Sequence, residues 1–216
     1  MTTDESIDDI FRLAEESMSK QKLLESKSVH SSIIASIKTT MFERSHETAE
    51  HAERLITLTK SIGLAMQLDA DQLNELELLS TLHDIGKMGV IDNILLKPGK
   101  LNMEEWVEMR KHPEIGYRIA QATSELIPIA NDILCHHERW DGKGYPQGLI
   151  GEYIPILSRI VAICDSYDAM TNDRPYRAAL TKEEAIAEIK KSAGTQFDPN
   201  ILNIFTENVL LSTSSF

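Results

Sequence analysis

The sequence predicts an all-α protein, a multi-helix bundle with an N-terminal helical extension, on three observations. Apolar residues recur at three- and four-residue spacing along most of the chain. β-branched alternation is scarce, which leaves no pattern for a sheet. Glycine and proline gather at Pro98-Gly99, Gly142 to Gly148, Gly151 to Pro155 and Gly194 to Pro199, and these are the expected loops. With 216 residues, 42% apolar and 26% charged, the chain suits one domain plus an extension. The expected division is an amphipathic helix and linker over 1–35 and a single domain over 36–212.

Each element has its own signal. Ile7, Ile10, Phe11, Ala14 and Met18 give residues 5–22 an apolar helical stripe that needs a partner. A polar stretch, ESKSVHSS (25–32), follows as linker or helix extension. Residues 33–65 read as one long helix or two shorter ones, with Leu55, Ile56, Leu58, Ile62 and Met66 facing inward. Leu73, Leu76, Leu79 and Leu82 mark a short apolar helix over 70–82 that runs directly into His83-Asp84. Residues 103–121 form the next expected helix, with Pro113 breaking or bending it. Two more are expected over 124–137 and 155–171. The second is nearly continuously apolar from Ile154 to Cys164, the mark of a buried helix. Thr181 with Glu184 forms a capping box that opens a helix over 182–192.

Charge and cysteine content exclude several classes. Lys plus Arg is 22 against 34 for Asp plus Glu, a formal net charge of -12. That balance disfavours a nucleic-acid polymer as partner. A small anionic ligand would need local positive charge, and bound metal ions are one source of it. No apolar run reaches the ~18–20 residues that span a bilayer. The acidic N-terminus lacks the order of a secretory signal. Cys135 and Cys164 are too few for a disulfide scaffold, and read as reduced thiols of a cytoplasmic protein.

Six of the seven histidines fall between residues 46 and 137. Glu47 and His51 are four apart on an expected helix and so share a face. His83-Asp84 ends an apolar helix, where an ionised Asp beside a His is costly to bury without a cation. His112, the pair His136-His137 and Asp165 complete a set of five histidines and three carboxylates. Eight N and O donors exceed one ion's need and suit two or three ions of the iron, manganese or zinc kind. Singly, each has an ordinary reading, such as a salt bridge for Glu47 or a hydrogen-bonded buried acid for Asp165. Together they point to metals. The histidine pair runs into a loop, Glu138 to Pro146, that would wall a pocket beside them. Arg174 and Arg177, three residues apart, suit phosphate oxygens.

His83-Asp84-Ile85-Gly86-Lys87, His136-His137-Glu138 and Gly144-Tyr145-Pro146 resemble the HD-GYP family, a subgroup of the HD-domain metal-dependent phosphohydrolases. The resemblance runs from about Glu43 to about Phe205. It includes LLKPGKL (95–101), KHPEIGY (111–117), DRPYR (173–177) and GTQFDP (194–199). It implies an HD-type helical bundle and a cyclic di-GMP phosphodiesterase of bacterial second-messenger signalling, yielding pGpG, GMP or both.

By the same resemblance, His51, His83, Asp84 and Asp165 match general HD ligands, and His112, His136 and His137 match the added HD-GYP ligands. Glu47 matches a position that helps hold a third metal in some members. Asp84 is the expected bridging ligand and Lys87 sits near the scissile phosphate. Arg174 and Arg177 contact substrate phosphates, and Tyr145 joins the substrate-binding set. The cofactors implied are two or three divalent ions, iron or manganese. No ligand position departs from the pattern.

Residues 14–22 resemble the last helix of a GGDEF or similar sensory domain. The partners implied are the cyclic dinucleotide, a GGDEF domain at the GYP loop, and a second copy through the N-terminal helix. Two alternatives stay open: hydrolysis of another cyclic dinucleotide such as cyclic GMP-AMP, and a catalytically silent nucleotide-sensing module.

Overall fold

The computed structural model describes Met18 and residues 32–45, 48–173 and 178–212. Internal contacts divide the chain into Met1–Thr40 and Met41–Phe216. In the first unit, residues 32–40 are helical, and the hydroxyls of Ser36, Thr39 and Thr40 each donate to a carbonyl one turn earlier. The amphipathic helix expected over 5–22 lies outside the described residues, apart from Met18, which is helical.

The second unit is all-α. With α1 at 32–44, the helices that follow are α2 (Ala49–Ala65), α3 (Ala70–Leu82), α4 (Asp92–Leu95), α5 (Met103–Met109) and α6 (His112–Gln121). After them come α7 (Ala130–Cys135), α8 (Ile156–Thr171), α9 (Lys182–Lys191) and α10 (Pro199–Ser212). Short 3₁₀ turns stand at Ile85–Gly89, Ile127–Ile129 and Gly151–Tyr153. Among the described residues there is no strand, only two isolated bridges. No helix described is long and apolar enough to cross a membrane.

The core is the meeting of α2, α3, α7 and α8. Leu55 and Ile62 of α2, Leu76, Leu79 and Leu82 of α3, Ile133 of α7, and Ile160, Ile163 and Cys164 of α8 are fully buried or nearly so. A buried polar clasp joins the first two helices, with Thr59 Oγ1 2.8 Å from Ser80 Oγ, whose own hydroxyl donates to Leu76 O. Capping boxes open α3 (Asp69 with Gln72), α5 (Asn102 with Glu105) and α9 (Thr181 with Glu184). The last of these was visible in the sequence.

Two element boundaries correct the sequence reading. The helix expected over 103–121 is two helices, and the break falls at Arg110-Lys111 rather than at Pro113. Pro113 lies in the first turn of α6, where a backbone N–H has no helical partner anyway, so the proline starts a helix instead of ending one. The helix expected over 124–137 is shorter. Pro128 sits in a 3₁₀ turn, and α7 begins only at Ala130. The segment 33–65 resolves into its two-helix alternative, with Thr48 capping the second.

The motifs LLKPGKL and GTQFDP have structural duties. Val90, Ile94 and Leu95 form a small cluster with Leu101 and Met109 packed against it, and Lys97 Nζ holds Glu105 at 2.6 Å. Asp198 accepts from Asn200 N at the start of α10 and pairs with Arg159 of α8 at 2.6 Å. The backbone of Thr195 and Gln196 in turn accepts from Asp141 and Trp140. The loop that follows His137 is therefore pinned at its root to two helices.

Asp132 ties α7 to α8 by accepting from both the backbone N–H and the hydroxyl of Ser158. Burial pushes its carboxyl from 3.8 up to about 6. The folded state then keeps a proton that the unfolded chain has lost, so stability falls as pH rises from about 4 to about 6. Asp132→Asn removes this slope while leaving an oxygen to accept from Ser158. In chelator-treated protein, urea titrations should show the variant ahead by up to about 3 kcal/mol above pH 6, and level with the parent below pH 4. A variant less stable at pH 8 would contradict the assignment.

Candidate metal centre

The site is built by helix ends. Asp69–Leu82 delivers His83 as the C-cap of α3 and Asp84 immediately after it. His112 is the first residue of α6, and His136 caps the C-terminus of α7. His51 sits in the first turn of α2, where its N–H donates to the Thr48 hydroxyl at 3.1 Å. Asp165 comes from the middle of α8. The 3₁₀ turn after Asp84 presses against α6 so closely that a Cβ on Gly86 would lie 1.8 Å from His112 O. Only glycine allows that approach.

The donor atoms form two groups. Asp84, His112, His136 and His137 make one, and His51, His83 and Asp165 the other, each with its ligand atoms within 4.8 Å of one another. Asp84 joins them. Its Oδ1 lies 3.1 Å from His112 Nε2 and 3.7 Å from His136 Nε2, and its Oδ2 lies 3.3 Å from His83 Nε2. Lys87 Nζ is 2.7 Å from Asp84 Oδ2. In the second group, His51 Nε2 stands 3.6 Å from Asp165 Oδ1.

Proton positions follow from the partners. His112 Nδ1 is 2.8 Å from Met109 O, His136 Nδ1 is 2.6 Å from Ile133 O, and His83 Nδ1 is 3.3 Å from Ser80 O. A carbonyl only accepts, so each of these Nδ1 atoms carries a proton and each ring turns its Nε2 inward. Burial pushes His136 down and His137 well below its ordinary value, which keeps both neutral near pH 7. Burial would raise the Asp84 carboxyl, but the Lys87 ammonium and the imidazoles of His83, His112 and His136 around it outweigh that and hold it well below the usual carboxylate range. His112 Nε2 and His136 Nε2 are only 3.2 Å apart. Lone pairs and an anion are thus packed together in a buried space, an arrangement that a divalent cation resolves. The residues fit metal ions, and nitrogen and oxygen donors of this kind suit first-row divalent metals.

The structure brings together His51, His83, Asp84, Lys87, His112, His136, His137 and Asp165, all expected from the sequence. Tyr145 stacks on His137 with ring centres 4.9 Å apart. Glu47, Arg174 and Arg177 lie outside the described residues.

Three further residues belong here, and sequence reasoning gave none of them a role of its own. Asp168, one turn after Asp165, lies 2.7 Å through Oδ2 from His51 Nδ1 and receives a two-pronged contact from Arg54 at 2.6 and 2.9 Å. Burial would raise its carboxyl, yet His51 and Arg54 hold it at about 2. The signal was present as two acids three apart on a buried helix. Glu138, buried, accepts from the N–H groups of Gln147, Gly148 and Leu149 at 2.7, 3.1 and 3.0 Å and so closes the loop around Tyr145. Gly144 is forced by that closure, since a Cβ there would sit 2.4 Å from Arg139 N.

The chain matches the HD domain family over residues 28–201. It belongs to the HD domain family. The HD-GYP resemblance carried by His83-Asp84 and Gly144-Tyr145-Pro146 also stands. This HD domain is 43% identical over 164 residues to a cyclic di-GMP phosphodiesterase of Thermotoga maritima, covering 75% of this chain and 45% of that protein. It is 39% identical to a cyclic di-GMP phosphodiesterase response regulator of Xanthomonas campestris, with 72% and 42% covered. It is 37% identical to the 3'3'-cGAMP-specific phosphodiesterase 2 of Vibrio cholerae, with 76% and 32% covered. The chain therefore spans less than half the length of these curated relatives. In fold, it aligns with a cyclic GMP-AMP-specific phosphodiesterase of V. cholerae at a TM-score of 0.63 and 22% identity, over 82% of this chain and 48% of that one. The HD domain of a Listeria monocytogenes phosphodiesterase aligns at 0.61 and 16% identity, with 82% and 95% covered.

Asp168 orients His51, so its loss should be felt at the metal. Asp168→Ala should weaken divalent-ion affinity by roughly 10–100-fold in a chelator competition assay. Asp168→Asn, which keeps an acceptor for His51 Nδ1–H, should recover part of the loss. Unchanged affinity in the alanine variant would contradict this role.

Proposed function

We propose that this HD domain is a metal-dependent phosphodiesterase that hydrolyses cyclic di-GMP. The observation that carries the reading is the pair of abutting donor groups joined at Asp84, whose two oxygens face different imidazoles. A carboxylate so shared is suited to bridge two ions. Asp84, His112, His136 and His137 would hold one, and His51, His83, Asp165 and Asp84 the other. Glu47 is assigned to a third. Iron and manganese are the expected metals.

When bound, such ions supply a deprotonated water near neutral pH and offset the charge of the phosphoryl oxygens. The chain's own contribution is positional. The carbonyls of Met109, Ile133 and Ser80 fix the imidazole tautomers, and Asp168 fixes His51. Lys87 places an ammonium beside Asp84, where it stabilises charge building on a phosphoryl oxygen in the transition state. Tyr145 walls the site next to His137. Arg174 and Arg177 are assigned to the second phosphate of the cyclic dinucleotide.

Sequence identity to cyclic di-GMP phosphodiesterases supports the substrate. The 37% identity to a 3'3'-cGAMP-specific enzyme favours cyclic GMP-AMP as the second reading. The setting proposed with it is a cytoplasmic signalling protein. A GGDEF domain would meet it at the GYP loop, and a second copy through the N-terminal helix.

Anaerobically purified protein, given ferrous iron or manganese and cyclic di-GMP, should release pGpG, GMP or both on chromatography. GMP as end product would support the third ion at Glu47, and pGpG alone a two-ion site. Asp84→Ala should lose bound metal and turnover together. An Asp84→Ala protein that kept both would overturn the proposal.

A further inference from the structure

The helix next to the metal centre carries apolar side chains that the fold leaves uncovered. α5 has no buried residue, and Met103, Trp106 and Val107 are 85%, 48% and 61% exposed. They stand at i, i+3 and i+4, so they share one face, and Arg110 lies one turn on. These four residues line a cavity of about 300 Å³, the lower end of the range for small-ligand sites. The same helix ends at Met109, whose carbonyl fixes His112. The guanidinium of Arg110 lies over the Tyr145 ring at 5.1 Å, and Tyr145 is stacked on His137. The apolar face is therefore continuous with the metal site by both backbone and side chain. Among the described residues, Arg110 has no carboxylate partner.

We infer that the face formed by Met103, Trp106, Val107 and Arg110 is the subsite for one guanine base of the substrate, and that Arg110 makes it prefer guanine to adenine. This rests on the phosphodiesterase reading above and deepens it. An indole face and two apolar side chains suit a flat base, because stacking accepts any π-surface. An arginine at the edge adds discrimination. Its paired N–H donors match O6 and N7 of guanine, whereas adenine offers an amino donor in place of O6. The contact with Tyr145 is made to the ring face and uses no hydrogen-bond acceptor, so the N–H donors of Arg110 are not spent on it.

The test compares kcat/KM on cyclic di-GMP, cyclic di-AMP and bis(p-nitrophenyl) phosphate, a phosphodiester without a purine, in manganese-loaded protein. Equilibrium dialysis of labelled cyclic di-GMP gives binding independently. Trp106→Ala should lower kcat/KM on cyclic di-GMP roughly tenfold or more relative to the purine-free ester, and weaken dinucleotide binding to match. Arg110→Gln should shrink the preference for cyclic di-GMP over cyclic di-AMP by a similar factor, and it tests the site even if Trp106→Ala fails to fold. Equal losses on all three compounds, or no loss in either variant, would overturn the subsite. So would occupation of this face by a second copy of the chain, seen as a monomer–dimer shift on Trp106→Ala with the substrate ratios unmoved. A parent protein inert on every phosphodiester while metal-loaded would instead overturn the underlying reading. One that cleaves only the purine-free ester and binds no dinucleotide would overturn the cyclic-dinucleotide reading and the subsite with it, whereas a parent active on cyclic di-GMP whose two variants lose nothing specific to it overturns the subsite alone.

Discussion

A carboxylate buried among imidazoles is unstable unless something positive sits with it, and Asp84 is such a carboxylate. It is 6% exposed, ionised, and bordered by His83, His112 and His136, whose ring protons are committed to backbone carbonyls on the far side. Lys87 offsets part of the charge from one direction. The lone pairs that remain converge where a cation would stand. Much of the surrounding structure makes sense as the means of holding that conflict in place until a metal relieves it.

The bundle does so by placing the donor side chains mostly at helix ends. A helix end exposes backbone groups without helical partners, and the site uses them to lock side chains. Carbonyls at the ends of α3, α5 and α7 take the histidine Nδ1 protons. The N-cap of α2 sets the turn that carries His51. The buried middle of α8 contributes Asp165 directly and Asp168 indirectly, with Arg54 closing the outer side. The loop from Glu138 to Leu149 is held by a carboxylate at its centre and by the Arg159–Asp198 pair near its root. Asp198, outside the donor cluster, is linked to the loop through Arg159, whose guanidinium lies over the Trp140 ring.

The sequence made the donor cluster legible because chemistry limits which side chains can bind metals, and because an ordered series of them is improbable by chance. Helix α3 was legible to the residue from its leucine spacing and its run into His83-Asp84. The broken helix 103–121 was not, since Pro113 has opposite meanings inside a helix and in its first turn, and only the three-dimensional path decides which applies. Asp168 and Glu138 were hidden for a similar reason. An acid that supports a ligand, or caps three loop amides, looks in sequence like any other acid. Their roles come from partners far away in the chain, 117 residues in the case of His51 and Asp168.

In the proposed mechanism Asp84 would be shared between two adjacent metal ions. The most direct test of this sharing is to titrate chelator-treated protein with Mn²⁺ under anaerobic conditions and record electron paramagnetic resonance spectra at each addition. Two ions about 3.5–4 Å apart should give at least two equivalents bound per chain and an exchange-coupled spectrum that replaces the isolated six-line signal. Saturation at one equivalent, or two equivalents that keep only the isolated signal, would contradict the account.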